Sequence, residues 1–337
     1  MKGKTLLWPI AALILVLLFN LIFSPSFFAV TLKEGHLYGS LIDIFVRAAP
    51  VVIVGLGMTL VIATGGVDLS VGAVMAIAGA VAACVIARPE GCILNSLPLG
   101  GSMMGIVGIA LFAAILCGFL NGFLVSKLKL QPIVATLLLM VAGRGAAQLL
   151  TNGQIVTFSH PEFAGLSLGS FLTIPIPIWI AGLTLGAIAL LIRATALGLF
   201  IESVGNNAAS SEICGINPRT IMLLVYVLCG LCAGIAGLIA AADIKAADSS
   251  NAGLYLELDA ILAAAIGGTA LTGGRFYLVG TVIGALLMQA ITTTINTYGV
   301  STEVTFVFKG VVVIIVCLLQ SPKIRDRAMK KLEVKPA

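Results

Sequence analysis

A single carboxylate, Asp68, interrupts one of the most apolar stretches of this chain, in GGVDLSVG at residues 65–72. A charge buried in hydrocarbon is costly, so Asp68 is either stabilised locally or serves a function there. Gly65 and Gly66 let the chain leave one helix. Asp68 then lies at the start of the next, where free backbone N–H groups favour an anion and Ser70 can add a hydrogen bond. The pattern predicts a helix cap at a turn near the cytoplasmic side, or the inner mouth of a solute path, and the two are compatible.

Arg144, in VAGRGAAQLL, is the most costly of the intramembrane residues because a guanidinium cannot lose its charge. We expect it to pair with a carboxylate such as Asp259 and hold two helices together, or to border a hydrated path. Neighbouring spans offer uncharged groups that suit a neutral, hydroxyl-rich solute, at Asn121, Gln131 and Gln148. The candidates for a translocation path or gate are therefore Asp68, Ser70, Asn121, Gln131, Arg144, Gln148, Glu257 and Asp259.

Three other patterns imitate reactive sites without their context. CGLC, Cys229–Cys232, lies inside an apolar span and is interpreted as a packing face rather than a redox pair. GKT, Gly3–Thr5, lacks the upstream glycine and strand of a phosphate-binding loop. His36 and His160 lie in different loops. We expect no catalytic residue, no cofactor and no metal site in this chain.

The amino-acid composition indicates the environment that surrounds these residues. The 337 residues are 60% hydrophobic and 10% charged, with a mean hydropathy of +1.16, whereas an average soluble domain carries about 25% charge. The sequence predicts an all-α, polytopic membrane protein with one domain over residues 1–337. Apolar runs predict about ten spans, at 5–23, 41–64, 70–87, 105–125, 132–150, 174–192, 220–242, 257–271, 277–297 and 304–320.

Basic residues set the expected orientation. With the N-terminus inside, 13 of the 19 Lys and Arg fall in cytoplasmic segments, so both termini are predicted to be cytoplasmic. The net charge of +5 does not predict nucleic-acid binding, because the cations flank apolar runs. Residues 194–217 form the longest internal cytoplasmic segment and the expected docking place for a cytoplasmic partner. Residues 321–337 form a basic cytoplasmic tail.

Several stretches of this sequence resemble the permease subunits of bacterial sugar ABC importers, the ribose, xylose, arabinose and galactose permease family. They are GMTLVIATGGVDLSVGAVMAIAGA (57–80), GNNAASSEICGI (205–216), ELDAILAAAIGGTALTGG (257–274) and VGTVIGALL (279–287). The likeness covers about the whole chain, in the right order, and is greatest for the galactofuranose-type permeases. It implies a second permease subunit, the same or homologous, two cytoplasmic ATPase subunits with two nucleotide sites, and a periplasmic sugar-binding protein.

The resemblance also implies that residues 205–216 couple the permease to the ATPase. This segment matches the family pattern at Gly205, Asn207, Ala209, Gly215 and Ile216. It departs from the pattern at Ala208, Ser210 and Glu212, where the family commonly has Glu, Ala and a basic residue. We therefore expect a docking role for the whole segment, Asn206 included, without a specific salt bridge. Residues 242–255 are the expected outer docking and gating loop.

The expected function follows from these features. It is import of a monosaccharide, of the galactofuranose/galactose or pentose class, across the inner membrane, with ATP hydrolysed by a separate subunit. The alternative is a secondary transporter, which would need coupling-ion carboxylates in mid-membrane and often two inverted halves. Asp68 and Asp259 alone come close to that requirement, and no repeat is evident.

Overall fold

Helices account for most of the chain in the computed structural model, which describes residues 2–33, 36–88, 92, 102–299, 304, 307–311 and 314. In chain order they are α1 (Lys2–Phe23), α2 (Ser40–Ala63), α3 (Val71–Ala87), α4 (Met103–Ser126), α5 (Pro132–Leu150), α6 (Pro161–Leu168), α7 (Ile176–Ala194), α8 (Leu197–Asn206), α9 (Ala208–Ile213), α10 (Pro218–Ile244), α11 (Leu256–Ile266) and α12 (Leu278–Thr297). A short 3₁₀ turn, Pro25–Phe28, follows α1.

Strands are few and short among the described residues. They are β1 (Thr31–Lys33), β2 (His36–Tyr38), β3 (Val156–Thr157), β4 (Ser170–Phe171), β5 (Ile174–Pro175) and β6 (Ala246–Ala247). They form three antiparallel ribbons, β1–β2, β3–β6 and β4–β5. The β3–β6 ribbon pairs Val156 with Ala247, and so ties the loop after α5 to the connection between α10 and α11.

Seven helices within the described residues are long and apolar enough to cross a membrane, namely α1, α2, α4, α5, α7, α10 and α12. The chain is therefore a multi-pass membrane protein. The third and eighth predicted spans form the shorter helices α3 and α11, of 17 and 11 residues. At 1.5 Å per residue α11 extends about 16 Å, roughly half of a bilayer core. The predicted span 257–271 is thus too long, because the helix ends at Ile266 and Gly268 turns with φ +90°.

The two central helices, α2 and α3, are enclosed by protein. Every residue of α3 from Val71 to Val85 is buried, and α2 is buried from Val51 to Ala63. A helix that is apolar on all sides is suited to such an enclosure or to the lipid of a membrane. The predicted span 304–320 lies mostly outside the described residues, and the basic tail 321–337 lies wholly outside them.

Small residues allow the helices around this centre to approach closely. A Cβ added to Gly57 would lie 2.8 Å from Cys229 Cα and 3.2 Å from Cys232 Cβ. Cys229 and Cys232 are free and buried, so the interpretation of CGLC as a packing face is confirmed. On α4, a Cβ at Gly118 would lie 2.5 Å from the Tyr226 carbonyl oxygen of α10. These contacts explain why glycine occurs so often in the apolar spans.

Candidate translocation and coupling sites

The carboxylate of Asp68 belongs to a buried polar cluster with Ser70 and Asn121. Asp68 Oδ1 accepts hydrogen bonds from Ser70 N at 3.0 Å, Ser70 Oγ at 2.7 Å and Asn121 Nδ2 at 3.2 Å. Asn121 Nδ2 also lies 2.7 Å from Ser70 Oγ. Asp68 is 1% exposed, and the other two are fully buried. The carboxyl group is therefore hydrogen-bonded inside the protein, as the local interpretation of the sequence expects.

The detailed cap geometry predicted for Asp68 is wrong. Ser70, not Asp68, occupies the cap position of α3, and no side chain accepts a cap hydrogen bond there. Asp68 instead closes a two-residue turn onto Ser70 and reaches across to α4 through Asn121. The reason is that α3 begins inside the protein, where a side chain from a neighbouring helix can satisfy the carboxylate. None of the three residues lines the large cavity described below.

Arg144 binds the backbone of the connection between α10 and α11. Its Nη1 donates to the carbonyl oxygens of Ala252, at 2.6 Å, and Ser249, at 3.2 Å. The expected pair of Arg144 with Asp259 is wrong, because Asp259 Oδ2 instead pairs with Lys309 Nζ at 2.9 Å. The connection folds against α5, and its carbonyls satisfy the guanidinium there.

Further polar contacts fasten the same connection to α5. Gln148 Nε2 donates to Ser250 Oγ at 3.3 Å, and Ser249 Oγ donates to the Ala147 carbonyl oxygen at 3.0 Å. The hydroxyls of Thr151 and Ser249 are 2.9 Å apart. Arg144 and Gln148, which the sequence analysis selected, therefore act on one loop. We name residues 245–255 the clasp loop.

Hydrogen bonds to Asp248 stabilise the clasp loop from within. Asn251 Nδ2 donates to Asp248 Oδ2 at 2.8 Å, and the Ser250 and Asn251 backbone N–H groups donate to Oδ1 at 3.1 Å. The Asn251 side chain first, and then these backbone groups, lower the pKa of Asp248 below its ordinary value because they favour the charged form. Asp248 is therefore an anion at neutral pH and holds the turn.

A large open cavity of about 800 Å³ lies beside the clasp loop. We name it the clasp cavity; α2, the clasp loop, α11, α12 and Lys309 contribute to its wall. Asp259 lines it with its partner Lys309. The α12 helix adds a polar row that the sequence analysis missed, Gln289, Thr292 and Asn296. Their spacing of three and four residues places them on one helix face, which is the signal that could have identified them.

Two of the selected residues stand apart from the clasp cavity. Glu257 is buried against the first turn of α3, where a Cβ on Gly72 would lie 2.8 Å from its Oε2. Gln131 is exposed directly before α5, and its side chain makes no cap hydrogen bond. The selected residues therefore divide into the Asp68 cluster, the clasp contacts, the Asp259–Lys309 pair and these two separate positions.

Residues 205–216, the predicted coupling segment, form the end of α8, the short helix α9 and a turn. Asn207 Oδ1 accepts the Ser210 N–H at 3.0 Å and caps α9, and the Ser203 and Ser211 hydroxyls join α8 to α9 at 2.8 Å. Gly215 turns with φ +85°, and Ile216 packs against the core behind it. The outward positions Ala209, Ser210, Glu212 and Ile213 are exposed, while Ala208 is half-buried.

The segment is also linked mechanically to the central helix α2. Gly205 lies so close to the Ala63 carbonyl oxygen that a Cβ would overlap it, and the Gly274 N–H donates to that same oxygen at 2.9 Å. Asn206 lies against Gly274 as well. The end of α8 therefore contacts the end of α2 through the backbone at Gly205, and contacts the turn before α12 through the Asn206 side chain.

Comparison with known proteins adds to this geometry. Residues 40–317 match the family model described as branched-chain amino acid transport system / permease component. The galactofuranose transporter permease protein of Escherichia coli K12 is 52% identical, with 94% of this chain and 91% of that relative aligned. The ribose import permease protein of Escherichia coli K12 is 37% identical, with 96% of this chain and 94% of that relative aligned.

A probable ABC transporter permease protein of Sinorhizobium fredii is 33% identical, with 78% of this chain and 76% of that relative aligned. No solved structure matches the chain. The family model covers most of the sequence and the two Escherichia coli relatives align over more than 90% of their length, so the match does not depend on one motif. The chain belongs to the branched-chain amino acid transport system / permease component family, whose members are membrane-spanning subunits of transporters.

Proposed function

We propose that this chain is the membrane-spanning permease subunit of an ATP-driven importer that moves a monosaccharide of the galactofuranose/galactose or pentose class across the inner membrane. The observation that carries the proposal is the 52% identity to a galactofuranose transporter permease over 94% of the chain. The capped and exposed helix α9 is joined to α8, whose Gly205 contacts α2, and this chain of contacts gives the assignment a physical means of coupling.

The similarity to importer permeases supports the proposed partners. Two cytoplasmic ATPase subunits dock on residues 194–217, a second permease subunit, the same or homologous, completes the membrane part, and a periplasmic binding protein delivers the sugar. Closure of the ATPase pair drives transport only if it favours one permease conformation over the other in free energy. The contact of Gly205 with Ala63 is the place where that difference enters the spans.

The proposed topology has about ten spans and both termini in the cytoplasm. Seven spans are the long apolar helices. The two shorter ones, α3 and α11, are shielded by protein, which lets them lie at membrane depth without spanning it alone. Lys and Arg in the segments assigned to the cytoplasm support the orientation. It places α9 in the cytoplasm and the clasp loop on the outer side.

The solute path in this proposal includes the clasp cavity. Binding there must be weak, because a tight site in the permease would slow release to the cytoplasm. The Asp68 cluster, being buried, supports the start of α3 and does not touch the solute. The clasp loop, fastened by Arg144 and Gln148, forms the outer gate.

The test is sugar uptake in a strain that lacks this permease, with the chain and its partners restored. Galactofuranose, galactose, ribose, xylose and arabinose are supplied as labelled sugars in parallel. We expect uptake of at least one of them, and its loss when the Walker lysine of the ATPase subunit is replaced. Uptake that survives this replacement but stops with a protonophore would instead establish a secondary transporter and refute the proposal.

A further inference from the structure

An ion pair lines the clasp cavity. Lys309 Nζ lies 2.9 Å from Asp259 Oδ2, and the two side chains are 12% and 26% exposed. Both residues contribute to the wall of the cavity. Charged side chains at membrane depth are costly and generally face a hydrated cavity or each other, and this pair does both.

The pair leaves one carboxylate oxygen available. Asp259 Oδ2 is engaged by Lys309, while no described residue donates to Oδ1. A buried ion pair rarely stabilises a protein more than an apolar pair of the same volume would. Structural stability alone therefore gives little reason for a carboxylate on this wall, whereas an accessible oxygen held in place by a lysine can accept a hydrogen bond from a solute.

The polar row on α12 adds uncharged hydrogen-bonding groups to the wall of the cavity. Gln289 and Asn296 carry amides that both donate and accept, and Asn296 is exposed. The Thr292 hydroxyl donates to the Met288 carbonyl oxygen at 2.9 Å, which leaves its own oxygen free to accept. Asp259 and Lys309 together carry no net charge. Such a set of uncharged donors and acceptors, in the wall of the same cavity as one carboxylate paired with a lysine, matches the alternating donors and acceptors of vicinal hydroxyls.

We propose that Asp259, positioned by Lys309, forms with Gln289 and Asn296 a subsite in the clasp cavity that binds the hydroxyl groups of a neutral polyol. The inference rests on the proposed function and deepens it, because it makes the permease itself, and not the delivering protein alone, selective for sugars. Asp259 accepts from one or two hydroxyls, the amides complete the ring of contacts, and Lys309 is a positioning residue.

The experiment uses the complete importer and three variants, Asp259→Asn, Lys309→Met and the double variant carrying both substitutions. The subsite predicts that ATP-driven sugar uptake falls about tenfold in Asp259→Asn and equally in the double variant, because both lack the charged acceptor. If the pair merely holds helices together, the double variant should regain wild-type uptake, because it leaves no charge unpaired. Glu162→Gln, exposed on α6 and outside the cavity, is the control.

A second measurement separates solute binding from assembly. Saturation-transfer NMR detects weak binding of D-galactose, D-ribose or L-leucine to the permease–ATPase complex without the binding protein. We expect a signal from a sugar but not from leucine, and its loss in Asp259→Asn and in Asn296→Ala. Asn296 is exposed, so its variant decides the question even if the Asp259 variants do not assemble.

Two outcomes would overturn the subsite while leaving the proposed function intact. One is sugar uptake by the wild type with an unchanged NMR signal in Asn296→Ala and Asp259→Asn, and the other is recovery of uptake in the double variant. If the wild-type importer takes up no sugar, or takes up leucine instead, the proposed function fails and the subsite fails with it.

Discussion

At the scale of single residues, backbone carbonyls of the clasp loop accept the hydrogen bonds of Arg144. The guanidinium reaches two carbonyls of the clasp loop, and the loop in turn braces itself through Asp248 and Asn251. A hydrogen bond from a charged donor is stronger than one between neutral groups. Arg144 is therefore the main fastening of the clasp loop to α5.

Replacing Arg144 is expected to loosen the clasp loop without unfolding the spans. In Arg144→Gln both carbonyl bonds are lost, which removes about 1.5–3 kcal/mol of local stability. We expect backbone amides of residues 245–255 to exchange hydrogen at least about tenfold faster, measured by mass spectrometry on the purified complex. Arg193→Gln, at the exposed end of α7, is the matched control. Equal protection in the wild type and Arg144→Gln would contradict this role.

The sequence allowed only part of this residue-level geometry to be predicted. The bond between Ser70 and Asp68 was predictable, because the two residues are two positions apart and such local bonds recur. The contact with Asn121 joins residues 53 positions apart, and the Lys309–Asp259 pair joins residues 50 apart. The sequence separation of these residues gives no sign that they are in contact. The expected Arg144–Asp259 pair was wrong because matching charges ignores backbone carbonyls as partners.

At the scale of elements, close packing of α4 on α10 depends on glycine. Gly118 and Gly230 face each other, with a Cβ on Gly118 2.5 Å from the Tyr226 carbonyl oxygen and a Cβ on Gly230 2.6 Å from that of Ala114. Distances this short leave no room for a side chain. The two helices gain dispersion contacts that larger residues would forfeit.

A leucine at Gly118 is expected to separate α4 from α10. Overpacking of this kind costs about 1–3 kcal/mol, and here the obstacle is backbone, which cannot move aside. Gly118→Leu should lower the melting temperature of the detergent-solubilised protein by several degrees. Gly108→Leu on the same helix, where nothing lies within 4 Å, is the control. A melting temperature unchanged by Gly118→Leu would show that α4 packs elsewhere.

The helix α9 gives the second prediction at this scale. Ile213 is 88% exposed at the end of α9, so its side chain is accessible to a partner that docks there. Ile213→Asp is expected to insert normally into membranes but to lose co-purification with the ATPase subunits. Ile155→Asp, also at an exposed apolar residue but in the loop after α5, should keep them. Co-purification retained by Ile213→Asp would contradict docking at α9.

Element positions were more predictable than residue contacts, for a physical reason. The run predicted at 105–125 became α4, Met103–Ser126, because an apolar stretch of membrane length has to close its own hydrogen bonds as a helix. The ends of the short helices were harder to predict. The end of α11 at Ile266 depends on glycines that unwind the chain, and Asn207 as the cap of α9 depends on a local side-chain bond.

At the scale of the whole molecule, the account requires α9 and the clasp loop to lie on opposite sides of the membrane. The chain offers a natural probe, since Cys214 directly follows α9 and is exposed, while Cys84, Cys92, Cys117, Cys229 and Cys232 are buried. A membrane-impermeant maleimide should label Cys214 in inside-out vesicles and not in intact spheroplasts. A Cys214→Ser variant identifies the labelled site. Labelling in spheroplasts would reverse the proposed topology.

We propose that the chain is a gate whose conformational change is driven by its partner subunits and enters the spans through α9 and Gly205. The most direct test reconstitutes the purified chain into proteoliposomes, alone and together with its ATPase subunits and binding protein, and measures labelled sugar inside against a gradient. Accumulation is expected only with all components and ATP present. Accumulation by the chain alone, driven by an ion gradient, would contradict it.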